Sequence, residues 1–149
     1  MITAKELEQR IRSGIPIAAH MDFQVRELSE NAITVIGGGA ENVNVHGTAF
    51  AGSLYAITTL ALWGLVHARL PADSALVLAE GSIRYRRPVV GDIVARCEIP
   101  AAEMAGFLAR LQERGKAVLV ASVQVAGAEG VAAEYQGTVH ARLEQASPT

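Results

Sequence analysis

Apolar residues recur along this chain with two periods, and the change between them sets the order of elements. Thr3 and Glu6 have the spacing of a capping box, and Leu7 and Ile11 follow on one helical face. A short helix is predicted from about Thr3 to Ser13, stopped by Gly14 and Pro16. Phe23 and Val25 alternate with polar neighbours, and Ile33 and Val35 do the same beyond Glu30-Asn31, which reads as a hairpin. Gly37-Gly38-Gly39 ends it as a loop or bulge; its spacing and context are not those of a dinucleotide-binding turn. A helix apolar on every side is predicted next, from about Phe50 to Leu70, closed by Pro71.

The second half returns to a period of two. Val77, Ala79, Ile83 and Tyr85 share one parity; Glu80, Ser82, Arg84 and Arg86 share the other. Pro88 and Gly91-Asp92 make a turn, after which Ile93, Ala95, Cys97 and Ile99 alternate with Arg96 and Glu98. Met104, Phe107, Leu108 and Leu111 have helical spacing, ended by Gly115. Leu119, Ala121, Val123 and Val125 form another strand face. Beyond a turn at Gly127 to Gly130, Val131, Ala133, Tyr135, Val139, Ala141 and Leu143 continue it. The tail from Gln145 is expected to fray. About six strands and one all-apolar helix predict an α+β chain: an antiparallel sheet, wet on one face, curled around the long helix. Residues 1–149 read as one domain without repeat or linker.

Gly47 to Val66 carries no charge over twenty residues, a length able to cross a bilayer. Ser53, Thr58 and Thr59 are polar, however, and no Lys or Arg cluster flanks the run. Amphipathic strands follow that need a helix to cover, so the run reads as an enclosed core rather than a span.

Composition narrows the function classes. Half the residues are hydrophobic, 19% are charged and the net charge is -2, with Lys and Arg scattered. That excludes a disordered chain, and no basic stripe exists to follow a nucleic-acid backbone. The single cysteine, Cys97, permits no internal disulfide. The first residues lack an apolar signal core, so a cytoplasmic location is the default. His20, His67 and His140 show no metal-ligand spacing among themselves or with Cys97, so no metal is expected. No G-x-S-x-G turn is present and Cys97 has no neighbouring base, which disfavours covalent catalysis.

Two segments carry a resemblance. One is Asn42-Val43-Asn44-Val45-His46-Gly47-Thr48-Ala49-Phe50-Ala51-Gly52-Ser53-Leu54-Tyr55; the other is Ser82-Ile83-Arg84-Tyr85-Arg86-Arg87-Pro88-Val89-Val90-Gly91-Asp92. In order and spacing they resemble hotdog-fold thioesterases, most closely the YiiD C-terminal type. The resemblance implies a hotdog fold, an acyl thioester of coenzyme A or of an acyl carrier protein as substrate, and a homodimer or dimer of dimers with the site between subunits. It implies no cofactor beyond the coenzyme A part of the substrate.

The chemistry of the first segment also stands without the name. A thioester carbonyl becomes an oxyanion when attacked, and unpaired N–H groups at a helix start stabilise that charge. Ala51, Gly52 and Ser53 are small enough to let an acyl group approach. An asparagine just upstream is both donor and acceptor, suited to orienting water or the carbonyl; alternatively Gly52 serves packing and Asn44 caps a turn. On the thioesterase pattern Asn-x-x-Gly-x-x-His-Gly-Gly, Asn44 and Gly47 match, Phe50 stands where the histidine would, and Ala51-Gly52 replace the glycine pair. Thr59 occupies the place of the helix carboxylate; it can hold a water but cannot be a general base. Glu41, Asp73 and Glu80 are the nearest carboxylates in sequence.

The expected catalytic set is therefore Asn44, Ala51, Gly52 and Thr59, with His46, Phe50, Ser53, Tyr55, Arg84, Arg86 and Arg87 contacting substrate. His46 reads either as a loop histidine or as the histidine of a hydratase, which would also need the missing helix carboxylate. Tyr55 and Thr58 line an acyl tunnel or make core hydrogen bonds. Arg84, Arg86 and Arg87 offer forks to coenzyme A phosphates, or else make a solvated strand face or salt bridges across a dimer. The leading expectation is hydrolysis by activated water. The alternatives are a non-catalytic acyl-thioester-binding or dimerisation module and, behind it, a hydratase or dehydratase.

Overall fold

The structure is a computed structural model and describes residues 1–144. The expected frayed tail from Gln145 lies outside the described residues. Helix α1 (Ala4–Gly14) begins with the predicted capping box: Thr3 accepts from the Glu6 backbone, and Glu6 reaches back to Thr3. Leu7 and Ile11 are its buried face. A second short helix, α2 (Pro16–His20), was not foreseen; Pro16 opens it, as proline can in a first turn.

Strands β1 (Phe23–Leu28) and β2 (Ala32–Gly37) form the predicted hairpin. The long helix α3 (Ala51–Arg69) follows, then β3 (Ser74–Tyr85), β4 (Ile93–Glu98), α4 (Ala101–Arg114), β5 (Lys116–Gly127) and β6 (Gly130–Leu143). Gly115 ends α4 in the left-handed conformation, with φ of 74°. The six strands make one sheet in the order β1-β2-β4-β5-β6-β3, each neighbouring pair antiparallel.

Helix α3 is enclosed by this sheet. Leu54, Ile57, Leu60, Ala61, Leu62, Leu65 and Val66 are buried in one core with Val35, Ala95, Val123, Tyr135 and Val139. By length and composition α3 could cross a membrane; its apolar side chains are instead taken up by the concave face of the sheet. Its first turn is the exception to burial on every side: Ala51 and Gly52 are exposed. Helix α4 lies on β5, which continues past the few residues it pairs with β4, and Arg110 donates to the Val118 carbonyl at 3.3 Å.

One strand departs from prediction. Val77 and Ala79 were expected inside with Ile83, yet Val77 is 58% exposed, and Leu76 and Leu78 turn towards the core. A bulge is the cause. Leu78 pairs with Val139 and Glu80 with Thr138, leaving Ala79 as an extra residue that reverses the parity. Beyond it Gly81 and Ile83 face inward.

Candidate functional site

The α3 start is held by a loop that bonds mainly to itself. The amide nitrogen of Asn42, a buried residue, donates to the carbonyls of Met21 and Gly38 at 2.8 and 2.7 Å. Phe50 N donates back to the Asn42 carbonyl at 2.7 Å, and Val43 bridges Ala49. Asn44 organises the tip. Its Oδ1 accepts from His46 N at 2.8 Å and Thr48 N at 3.2 Å, and its Nδ2 donates to Thr48 Oγ1 at 3.0 Å. Gly47 takes φ of 81°, which closes this turn. Ala49 N donates to the Val89 carbonyl, tying the loop to the Pro88 turn. Asn44 thus makes the turn-capping bonds that were its alternative reading, and His46 is exposed.

Phe50 is the N-cap of α3 and supplies no side-chain cap. The first intrahelical bond of this end is Leu54 N to the Phe50 carbonyl at 3.0 Å, so the N–H groups of Ala51, Gly52 and Ser53 have no helical partner. The Phe50 ring, 55% exposed, lies over Gly52; a Cβ at position 52 would stand 2.5 Å from its edge. Gly52 is therefore required by the packing of Phe50 as well as by access to the helix start. Tyr85, at the end of β3, donates to the Ala51 carbonyl at 2.9 Å and fixes the helix start to the sheet.

Further along α3 lies a group of hydroxyls. Thr59 donates to the Tyr135 hydroxyl at 3.1 Å, and Tyr55 meets Tyr135 edge to face with centroids 5.5 Å apart. Gly81 makes room for both tyrosines: a Cβ there would collide with the Tyr55 hydroxyl and lie 2.8 Å from that of Tyr135. Burial pushes the Tyr135 hydroxyl above its ordinary value; the Thr59 bond opposes this and Tyr55 adds to it. Burial likewise raises Tyr85, with Tyr55 contributing. Both hydroxyls are neutral near pH 7. Thr58 bonds backward to the Leu54 and Tyr55 carbonyls, so its hydroxyl serves the helix.

The remaining candidates are placed as follows. Ser53 is buried in the first turn. Arg86 pairs with Glu134 at 2.9 Å and Arg87 with Glu129 at 3.1 Å, ion pairs within the chain rather than the expected ones across a dimer; Arg84 is exposed with no such partner among the described residues. None of the three nearest carboxylates stands beside the α3 start. Glu41 packs against Gly38, Asp73 follows the far end of α3, and Glu80 alternates with the inward Gly81 and so faces outward. Burial, then Glu98, pushes the Cys97 thiol up to about 12, which makes it inert as a nucleophile at neutral pH. Among the described residues no three His, Cys, Asp or Glu side chains gather as a metal site. Tyr135 and Gly81 were missed from sequence. Their only signal was one aromatic in a strand of small residues, and the Gly81–Gly137 register that accommodates it is tertiary.

Comparison with known proteins agrees with this architecture. A crystal structure of a Chlorobaculum tepidum protein of unknown function superposes with a TM-score of 0.86 at 23% identity, covering 95% of this chain and 94% of that one. A Pseudomonas aeruginosa protein of unknown function, described as "Probable Thioesterase", gives 0.84 at 24%, covering 97% and 99%. At these identities the likeness shows the shared fold. A Shewanella oneidensis protein described as a "putative thioesterase" gives 0.79 at 29%, covering 95% and 97%. The family model described as "Putative thioesterase (yiiD_Cterm)" matches residues 4–142, nearly the whole chain. With its six-stranded sheet wrapped around α3, the chain has the hotdog fold and belongs to this YiiD C-terminal thioesterase family.

Proposed function

We propose that the protein hydrolyses an acyl thioester, of coenzyme A or of an acyl carrier protein, whose carbonyl is held at the start of α3. One observation carries this reading. The helix start is uncapped and lined by small residues, with Ala51 and Gly52 exposed and Ser53 buried, and their three N–H groups have no helical partner. They lie at the positive end of a 19-residue helix, where an oxyanion is stabilised. Asn44 shapes the loop that presents this start, and Phe50 and Tyr55 border the acyl group. Thr59, bonded to Tyr135, holds water rather than accepting its proton.

A second copy completes the site by pairing along β3. That strand is twelve residues long and among the described residues has β6 as its single strand neighbour, so its other edge is open to pairing. It ends at Tyr85, which anchors Ala51, so pairing there brings the partner close to the helix start.

The all-hydroxyl Thr59–Tyr135–Tyr55 group favours a second reading, acyl-thioester binding without turnover, because none of these is a base at neutral pH. Release of free thiol from a panel of acyl thioesters separates the two. Turnover above that of a heat-denatured control supports hydrolysis; saturable binding without thiol release refutes it in favour of the binding module.

A further inference from the structure

A groove of about 740 Å³ crosses the far end of the molecule, on the outer surface of the β3-β6-β5 sheet beside α4. Its apolar floor is Ala75, Val77 and Val118, with only the backbone edges of the core-facing Ala117 and Ala141 contributing. It also carries Arg110, Arg114, Lys116, Arg142 and His140, and among the described residues no carboxylate lines it. It is remote from the α3 start. Tyr85 bonds to Ala51 at one end of β3, whereas Ala75 belongs to the end that follows the C-terminus of α3.

The placement of these cations is locally unfavourable in two separate ways. Lys116 and Arg142 are directly opposed across β5 and β6, where like charges destabilise a sheet. Arg110 and Arg114 are four residues apart on α4, where like charges repel along a helix. Both pairs open into the same groove. Among the described residues, none of the four has a carboxylate oxygen within 4.0 Å; Arg10, Arg26, Arg69 and Arg84 also lack one, but none of those lines the groove, whereas here four unpaired cations share one groove. In a chain of net charge -2, this concentration of unmatched positive charge is not a reflection of overall composition.

We propose that this groove binds an organic polyphosphate, with two or more phosphate groups held by Arg110, Arg114, Lys116 and Arg142. The organic body would lie over Ala75, Val77 and Val118. A single carboxylate would neutralise one cation of the four and leave the opposed pairs in place; adjacent phosphates answer both pairs at once, and arginine forks suit phosphate oxygens. A second copy of this chain is the wrong occupant, because it would bring the same positive face against itself. The volume lies in the range of small-molecule sites, about 300–1,000 Å³. Two sources share the chemistry: the nucleotide end of coenzyme A and a free nucleotide diphosphate.

Isothermal titration of the full chain with pyrophosphate, ADP and coenzyme A tests this without reference to turnover, so its failure is distinct from failure of the thioester reading. ADP and coenzyme A are expected to bind at a single site, with affinity falling steeply as salt rises. Lys116→Gln combined with Arg142→Gln is expected to weaken binding at least about tenfold. Arg26→Gln, at an exposed arginine of β1 outside the groove, should change nothing. Equal binding of ADP and coenzyme A assigns a general nucleotide site; tighter binding of coenzyme A assigns that source. The double variant should melt no lower than the parent, since it removes an opposed like-charge pair. No binding of any probe at millimolar concentration, or binding indifferent to the double variant, overturns the proposal.

Discussion

Replacing Ala51 by proline removes one N–H from the proposed oxyanion site and disturbs little else. Proline is favoured at the first helical position, because the N–H it lacks has no helical partner there. It requires an extended conformation of the preceding residue, and Phe50 already has φ of −67° and ψ of 133°. The Ala51 carbonyl, which accepts from Tyr85, is retained. The native state therefore loses no hydrogen bond, and the unfolded chain loses freedom, for a change in stability of about zero to +1 kcal/mol. Activity should respond in the opposite sense. Removal of one oxyanion donor costs about 2.7–4 kcal/mol of transition-state stabilisation, or roughly 100- to 1,000-fold in kcat. KM should change little, because the bond strengthens only as charge develops. The assay is thiol release from an acyl-coenzyme A thioester, run beside a thermal melt. Ala51→Ser, which keeps the N–H, is the control and should remain near the parent. Full kcat in a stable Ala51→Pro variant would show that this N–H does not meet the reacting oxygen. Equal loss in Ala51→Ser would show that the side chain matters instead.

Other outcomes follow from the packing and the titrating groups. Gly81→Ala drives a methyl into the Tyr55 and Tyr135 hydroxyls and should cost about 1–3 kcal/mol in urea unfolding; unchanged stability would mean that the tyrosines shift freely. Cys97 should resist iodoacetamide in the native state and react only after denaturation, as read by mass spectrometry, because it is buried with its thiol pushed up to about 12. The same shift fixes a pH dependence. The folded value lies above the ordinary 9.0, so its stabilising contribution is complete below pH 9 and is lost as pH rises from there towards about 12. Urea midpoints should therefore fall more steeply with alkaline pH in the parent than in Cys97→Ala, and parallel profiles would refute the assignment. Light scattering should give the mass of at least two chains, and Leu78→Pro in β3 should reduce it if the β3 edge is the contact; a folded monomer as parent would remove the proposed two-copy site.

Much of the fold was legible in order because it is written in local periods. The α1 capping box, the β1–β2 hairpin, the left-handed Gly115 and the alternation of β4 and β5 depend on neighbours within a few residues. The enclosed α3 was also readable, since a helix apolar all round must be covered on all sides. Its uncapped start could be located from the small residues beside Phe50. Tertiary structure alone decided the rest. The Ala79 bulge reverses which face of β3 is buried, and a one-residue slip leaves no mark in composition. Arg86 and Arg87 spend their charge on Glu134 and Glu129, contacts made across long separations. Tyr135 reaches Thr59 only because Gly81 and Gly137 face each other across two strands. The cationic groove joins α4 to three strands. Local sequence determines which elements form and which face of most of them is apolar, because that preference is decided within a turn or a pleat. Which side chains meet depends on register and packing between distant segments, and so belongs to the folded chain.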